Sequence, residues 1–335
     1  MAAVSRPGGG PGVGGRSTAG REVVSPAVSV VIPTWNRMDT LPEVLAALER
    51  QEDAPSFEVI VVDDGSTDDT PRWLAGRPAG GLALRTLAQA NRGPAAARNA
   101  GVAAARGHRV AFLGDDTVPS AGWLRRIHDA VERRADPRIA VIGRTEWHPR
   151  VRVTPFLRHI NQNGAQFGFA LIADPDSVPF NFFYTSNLCL GRSLLLEEPF
   201  DETFPFPAWE DIETSYRLQA KGMHLCYEPA AEVCHDHPTD LDRFCLRQEK
   251  AGYSAVVFHR RHPELGPMLG LGLEGPPSPL GIGWRLGRVV ARALQRLPLV
   301  TPGLWDEVLR GHYIIGLNRG WAELAPRSAE AGGEA

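Results

Sequence analysis

Val28-Ser29-Val30-Val31-Ile32-Pro33-Thr34-Trp35-Asn36-Arg37, Val59-Ile60-Val61-Val62-Asp63-Asp64-Gly65-Ser66 and Val110-Ala111-Phe112-Leu113-Gly114-Asp115-Asp116 share one layout: a short apolar run that breaks into polar residues at its C-terminal end. Runs of this length, rich in β-branched residues and separated by helical stretches, read as buried parallel strands. Open parallel sheets bind ligands beyond the carboxyl ends of their strands. Aspartates, an asparagine and an arginine gathered at three such ends suit a nucleotide and a metal ion, so Val28 to Asp116 predicts a nucleotide-handling enzyme.

The flanking sequence supports the same layering. Asp39 or Thr40 is placed to cap a helix with Leu41, Val44, Leu45 and Leu48 on one face, and Thr67-Asp68-Asp69-Thr70-Pro71 opens a second helix containing Trp73 and Leu74. A strand from Leu82 to Leu87 leads through Asn91-Arg92-Gly93-Pro94 into an Ala-rich helix, Ala95 to Ala105. A helix from Ala121 to about Arg134 and a strand from Ile139 to Gly143 follow. This alternation of periods marks βαβ units. The second half is less regular, with strand-like pieces at Asn187 to Gly191 and His224 to Tyr227. Between them Pro207-Ala208-Trp209-Glu210-Asp211-Ile212-Glu213 opens a helix that runs to Gly222. A helix dipole favours first-turn acids by about 0.3–1 kcal/mol each, which leaves three clustered carboxylates incompletely explained.

The 335 residues, 43% hydrophobic and 22% charged, are enough for one large domain or two. A formal net charge of −3 argues against a general nucleic-acid binder. Cys189, Cys226, Cys234 and Cys245 have neither paired nor zinc-like spacing and read as reduced, mostly buried thiols of a cytosolic protein. No apolar run reaches the roughly 18 residues of a membrane span. Residues 1–25, rich in glycine, and residues 326–335 are expected to be disordered tails, the first neither a signal peptide nor an anchor.

Several residues are suited to chemistry. Asp115 and Asp116 are hard oxygen ligands for Mg²⁺ or Mn²⁺, although a turn beginning with Asp is the plainer explanation of the pair. Asp63 and Asp64 either cap the next helix or accept hydrogen bonds from a base or ribose. Arg92 and Arg98 offer cations for a diphosphate. His235 and His237 alternate along an extended segment. His235 could complete a metal site with Asp116, and His237 is the weaker candidate.

In this order the motifs resemble the family 2 inverting glycosyltransferases of the GT-A fold, over roughly residues 27 to 262. The resemblance rests on Val30 through Arg37, Val61 through Asp68, Asn91-Arg92-Gly93 through Ala97-Arg98-Asn99-Ala100-Gly101, Phe112 through Asp116, and Trp209-Glu210-Asp211. It implies an α/β GT-A fold, a doubly wound, mostly parallel sheet with a helical C-terminal extension. The catalytic domain would span 26–265, with a nucleotide-binding half 26–145 and an acceptor half 146–265, followed by the extension 266–325. It further implies that Pro33, Asn36, Arg37, Asp63 and Asp64 border the nucleoside, with Asp64 on the base, and that Arg98 and Asp115 lie by the diphosphate. Asp116 would hold Mn²⁺ or Mg²⁺ with His235 in reach. Asp211 would be the general base, with Glu210 shaping its pKa or binding the acceptor, and Ser186, Asn187 and Trp209 would line the sugar and acceptor site. The implied reaction moves a sugar from a nucleotide-sugar donor to a hydroxyl of a glycan, lipid-linked or small-molecule acceptor. Gly114 stands where the family often has an aspartate, which bears on metal affinity. Two other readings are a nucleotidyltransferase, which wants a Gly-rich basic loop where Pro33-Thr34-Trp35-Asn36 stands, and a non-catalytic binder on a degenerate fold, which Asp116 and Asp211 oppose.

From Pro276 to Trp305 there is no acidic residue, while Arg285, Arg288, Arg292 and Arg296 recur every three or four positions. This predicts a basic amphipathic helix over 283–297, with Leu286, Val289, Val290, Ala293, Leu294 and Leu297 opposite the arginines. Such a helix either lies on an anionic membrane or packs its apolar face on the catalytic domain and leaves the arginines to water. The expected location is cytoplasmic, with peripheral contact to the inner face of the membrane as the first alternative.

Overall fold

The opening runs become neighbouring strands of one eight-stranded sheet in a computed structural model, which describes residues 25–77, 80–272, 275–278, 282–294 and 300–324. In chain order the strands are β1 (Val28–Thr34), β2 (Phe57–Asp63), β3 (Leu84–Ala88), β4 (Arg109–Leu113), β5 (Thr117–Pro119), β6 (Ile139–Trp147), β7 (Asn187–Gly191) and β8 (His224–His235). They lie in the order β3-β2-β1-β4-β7-β6-β8-β5. β1 pairs in parallel with β2 and β4, β2 with β3, and β6 with β8, whereas β7 and β5 run against their neighbours. The sheet is mostly parallel, as expected. The expected tails lie outside the described residues.

Helices cover both faces. They are α1 (Leu41–Glu49), α2 (Thr70–Gly76), α3 (Pro94–Ala104), α4 (Trp123–Glu132), α5 (Pro155–Gln162), α6 (Arg192–Glu197), α7 (Glu210–Ala220), α8 (Leu241–Arg261), α9 (Ile282–Leu294) and α10 (Pro302–Leu324). Side chains alternate along a strand, so Val28, Val30 and Ile32 meet Leu41, Val44 and Leu45 of α1 and Trp123 and Ile127 of α4, while Val31 faces Ala97 and Val102 of α3. Thr40 stands at the start of α1 but makes no capping hydrogen bond through its side chain. A proline in the first turn sets the helical φ there instead.

The extension continues the core. Trp305, Val308 and Leu309 of α10 pack with Phe156 and Leu157 of α5 and Phe244 of α8, and Leu317 packs with Val256 and Phe258. Two glycines let α8 and α10 touch backbone to backbone: a Cβ on Gly252 would lie 2.1 Å from the Tyr313 carbonyl oxygen, and one on Gly316 2.0 Å from that of Glu249. Gly316→Val is therefore expected to force the helices apart and cost at least about 2 kcal/mol, read as a lower urea midpoint.

Candidate active site

The loops at the carboxyl ends of β1 and β2 lock together through side-chain oxygens. Asn36, held at φ 54°, accepts at Oδ1 from the N–H groups of Thr67 at 2.7 Å and Asp68 at 3.2 Å, and its own N–H donates to Ser66 Oγ at 2.8 Å. Asp63 Oδ1 accepts from the Ser66 N–H at 2.9 Å. Buried Asp64 accepts from Gln89 Nε2 (2.8 Å) and the Arg92 N–H (2.9 Å) at Oδ1, and from the Gly93 N–H (2.8 Å) at Oδ2. The result is a fixed polar rim, with half-buried Pro33 behind it and Trp35 exposed on it.

The second group forms because β5 runs antiparallel to β8 and pairs Thr117 with His235. The Asp236 N–H donates to the Asp116 carbonyl at 2.7 Å, which draws the segment beyond β8 against the tip of β4. His235 Nε2 then lies 3.4 Å from Asp116 Oδ1, and His237 Nδ1 lies 3.2 Å from Oδ2. Arg37 bridges the aspartates, with Nε 3.4 Å from Asp115 Oδ1 and Nη2 3.4 Å from Asp116 Oδ2. Burial, then the charge of Asp116, pushes Asp115 up to about 7, with Arg37 opposing. Burial acts the same way on Asp116 but is overcome by His235, His237 and Arg37, which hold it well below the usual carboxylate range. Asp116 is thus the ionised member. One carboxylate and two imidazoles, their ligating atoms within 4.8 Å of one another, fit a divalent ion, and the mixed N/O set suits Mn²⁺ better than Mg²⁺. His237, expected to be the weaker candidate, sits as close to Asp116 as His235 does. At Gly114 a Cβ would lie 3.1 Å from Asp116 Oδ1, so a side chain there would crowd the carboxylate.

The third group is the start of α7. Trp209 occupies the left-handed region at φ 73° and donates its indole N–H to the Ala251 carbonyl of α8 at 3.0 Å, which anchors the turn. Strain at a bulky residue persists where packing over-determines it, commonly at functional sites. Glu210 is buried and ion-paired at 2.9 Å with Arg98 Nη1, which also lies over the Phe200 ring. Asp211 stays partly exposed. Burial and then Glu210 push its carboxyl up to about 7, against the pull of Arg98.

The fold gives several of these residues definite partners. Arg98 is ion-paired with Glu210, and buried Glu210 pushes the Asp211 carboxyl up, the first of the two roles expected of it. Asn187 does not line the site. It is fully buried, donates to the Arg144 and Ala231 carbonyls at 3.0 Å each and accepts from Trp123 Nε1 at 2.8 Å, which stitches β7 to β6 and β8. Half-buried Ser186 accepts at its carbonyl from the Gly114 N–H at 3.2 Å and so joins β7 to the aspartate tip. Arg247 of α8 was not anticipated: it packs over Phe244, donates to Gln166 Oε1, and lies in the field of Asp211, Glu210 and Asp116. The cap from Asp240 Oδ1 to the Arg243 N–H and the spacing of Leu241, Phe244 and Cys245 could have revealed its helix.

A raised carboxyl has a stability consequence of definite sign. Because Asp211 titrates near 7 in the fold and lower when unfolded, its ionisation destabilises the fold increasingly as pH rises from about 4 through 7. Asp211→Asn is expected to raise the melting temperature by a few degrees near about pH 8 and to leave it nearly unchanged near about pH 4, measured by calorimetry.

Residues 29–188 match the family described as Glycosyl transferase family 2; the matched region ends before Asp211 and His235. The pre-mycofactocin glycosyltransferase of Mycobacterium tuberculosis is 30% identical over 316 residues, covering 84% of this chain and 63% of the relative. The validoxylamine A glucosyltransferase of Streptomyces hygroscopicus subsp. limoneus is 29% identical over 274 residues, covering 73% of this chain and 58% of the relative. The chain thus spans less than two thirds of the length of these relatives. Among solved structures, the mannosyltransferase PcManGT of Pyrobaculum calidifontis, in complex with GDP-Man and Mn²⁺, shares the fold at a TM-score of 0.60 and 20% identity, over 90% of this chain and 88% of that one. Residues 1–349 of S. aureus TarS, in complex with UDP, follow at 0.51 and 17%, over 87% and 91%. Residues 29–188 are thus a domain of glycosyl transferase family 2, and the relatives and the shared GT-A fold agree with that assignment.

Proposed function

We propose that this protein is a metal-assisted inverting glycosyltransferase that moves a sugar from a nucleotide-sugar donor to an acceptor hydroxyl. The observation that supports this reading is that a carboxyl pushed up to about 7 and a side-chain cluster suited to a cation both act on Arg247. Asp211 titrates near neutrality, and Arg247 lies in the fields of both Asp211 and the ionised Asp116.

The rim built by Pro33, Asn36, Asp63 and Asp64 would receive the nucleoside. Asp116, His235 and His237 would hold the divalent ion, which when bound supplies charge stabilisation to the donor diphosphate. Asp211 takes the proton of the acceptor hydroxyl as its oxygen attacks the anomeric carbon from the face opposite the diphosphate. The bond from that carbon to the diphosphate oxygen breaks, its electron pair leaves with the nucleoside diphosphate, and the anomeric configuration inverts. Arg37 keeps Asp115 engaged, and Arg98 does the same for Glu210, so Asp211 is the carboxylate left to accept a proton. Arg247 adds a positive charge to the field around Asp211 and Asp116. The structural neighbours are solved with GDP-Man and Mn²⁺ in one case and with UDP in the other.

Because the base must be ionised to act, turnover is expected to rise with pH and level off above about 7, its pKa in the fold. Asp211→Asn should lower kcat by at least about 100-fold with donor affinity retained. The assay is release of nucleoside diphosphate from a panel of nucleotide-sugars with Mn²⁺. No release from any donor, together with no nucleotide-induced thermal shift, would favour a non-catalytic binder.

A further inference from the structure

α9 has three faces where its sequence suggested two. Trp284 and Ala291, seven positions apart, are buried. The Trp284 indole N–H donates to the Val308 carbonyl of α10 at 3.3 Å, and Ala291 joins Phe244, Cys245 and Trp305 in a common cluster. Leu286, Val289 and Val290 are instead 64%, 66% and 48% exposed. Their spacing of three and four puts them on one stripe, which points away from the protein. Arg288 and Arg292 lie along one flank of that stripe, Arg292 with its Nε 2.8 Å from Asp242 of α8. The expected packing of the apolar face on the catalytic domain is therefore not what occurs. The helix is held by a small third face, and its Leu/Val stripe stays open. Arg296 and Leu297 lie outside the described residues.

We propose that α9 docks on an anionic bilayer, with Leu286, Val289 and Val290 entering the headgroup boundary and Arg288 on the flank meeting lipid phosphates. Charge selects this occupant: the acid-free stretch from Pro276 to Trp305 carries four arginines in a chain whose formal net charge is −3. A second copy is the poorer fit. A two-fold contact through one helical stripe would bring like arginine flanks together, and three exposed side chains fall well short of the roughly 800 Å² per partner of a stable interface. The mode is surface docking, since among the described residues no helix is long and apolar enough to cross a membrane. α9 rests on the first turns of α8, with Arg292 paired to Asp242 and Ala291 in one cluster with Leu241, Phe244 and Cys245.

The test is co-sedimentation of the full chain with vesicles of phosphatidylcholine alone or mixed with phosphatidylglycerol, a readout independent of sugar transfer. Binding should be at least about tenfold stronger on the anionic vesicles and should weaken with added salt. The triple variant Leu286→Ser, Val289→Ser, Val290→Ser should lose at least about tenfold, and the single variant Val289→Glu at least about fivefold, both with unchanged melting temperature. Absent binding, equal binding to neutral vesicles, undiminished binding of Val289→Glu, or a dimer in ultracentrifugation that the triple variant dissolves would overturn the proposal.

Discussion

The short antiparallel pairing of β5 with β8 is the constraint on which the site depends. It spans three residue pairs, Thr117 with His235, Val118 with Cys234 and Pro119 with Val233, yet it brings the aspartate tip of β4 to two histidines over 110 residues away in sequence. β8 is itself held by a long parallel pairing with β6, so His235 stands on a strand embedded in the sheet instead of on a free loop. Sites built on rigid elements hold their geometry better than sites built on loops.

The same arrangement recurs at the two acidic tips. In each, two adjacent carboxylates lie in a poorly solvated place, and cationic side chains single out one of them. Arg37, His235 and His237 hold Asp116 ionised while Asp115 is pushed up to about 7. Arg98 pairs with Glu210 while Asp211 is pushed up to about 7. Crowding like charges costs stability, and such cost is commonly found where a protein needs groups poised between two protonation states. The strained turn at Trp209, anchored to α8, immediately precedes Glu210 and Asp211 at the start of α7.

Much of this was legible in the sequence. The β-branched runs and the polar residues after them located β1, β2 and β4, and the acid cluster after Pro207 located the start of α7, because strand and helix periods are local signals. What the sequence did not show are properties of contact. Arg98 and Asn187 carry the residue types of a binding site, but only the fold shows that one pairs with Glu210 and the other is consumed by three hydrogen bonds within the sheet. His237 looked peripheral because its closeness to Asp116 arises from a three-residue strand with little sequence signal. Gly114 read as the loss of a ligand, and the fold adds that a Cβ there would lie 3.1 Å from Asp116 Oδ1. For α9, periodicity revealed an amphipathic helix but not which side faced the protein.

The central claim is that Asp116, His235 and His237 form one cation site and that Asp211 acts as the proton acceptor. The most direct test is Mn²⁺ titration, by calorimetry or spin resonance, of the parent protein, Asp116→Ala, His237→Ala and Asp211→Asn. The expected result is one Mn²⁺ per chain, lost in Asp116→Ala, weakened at least about tenfold in His237→Ala and retained in Asp211→Asn. Undiminished Mn²⁺ binding in Asp116→Ala would contradict the account.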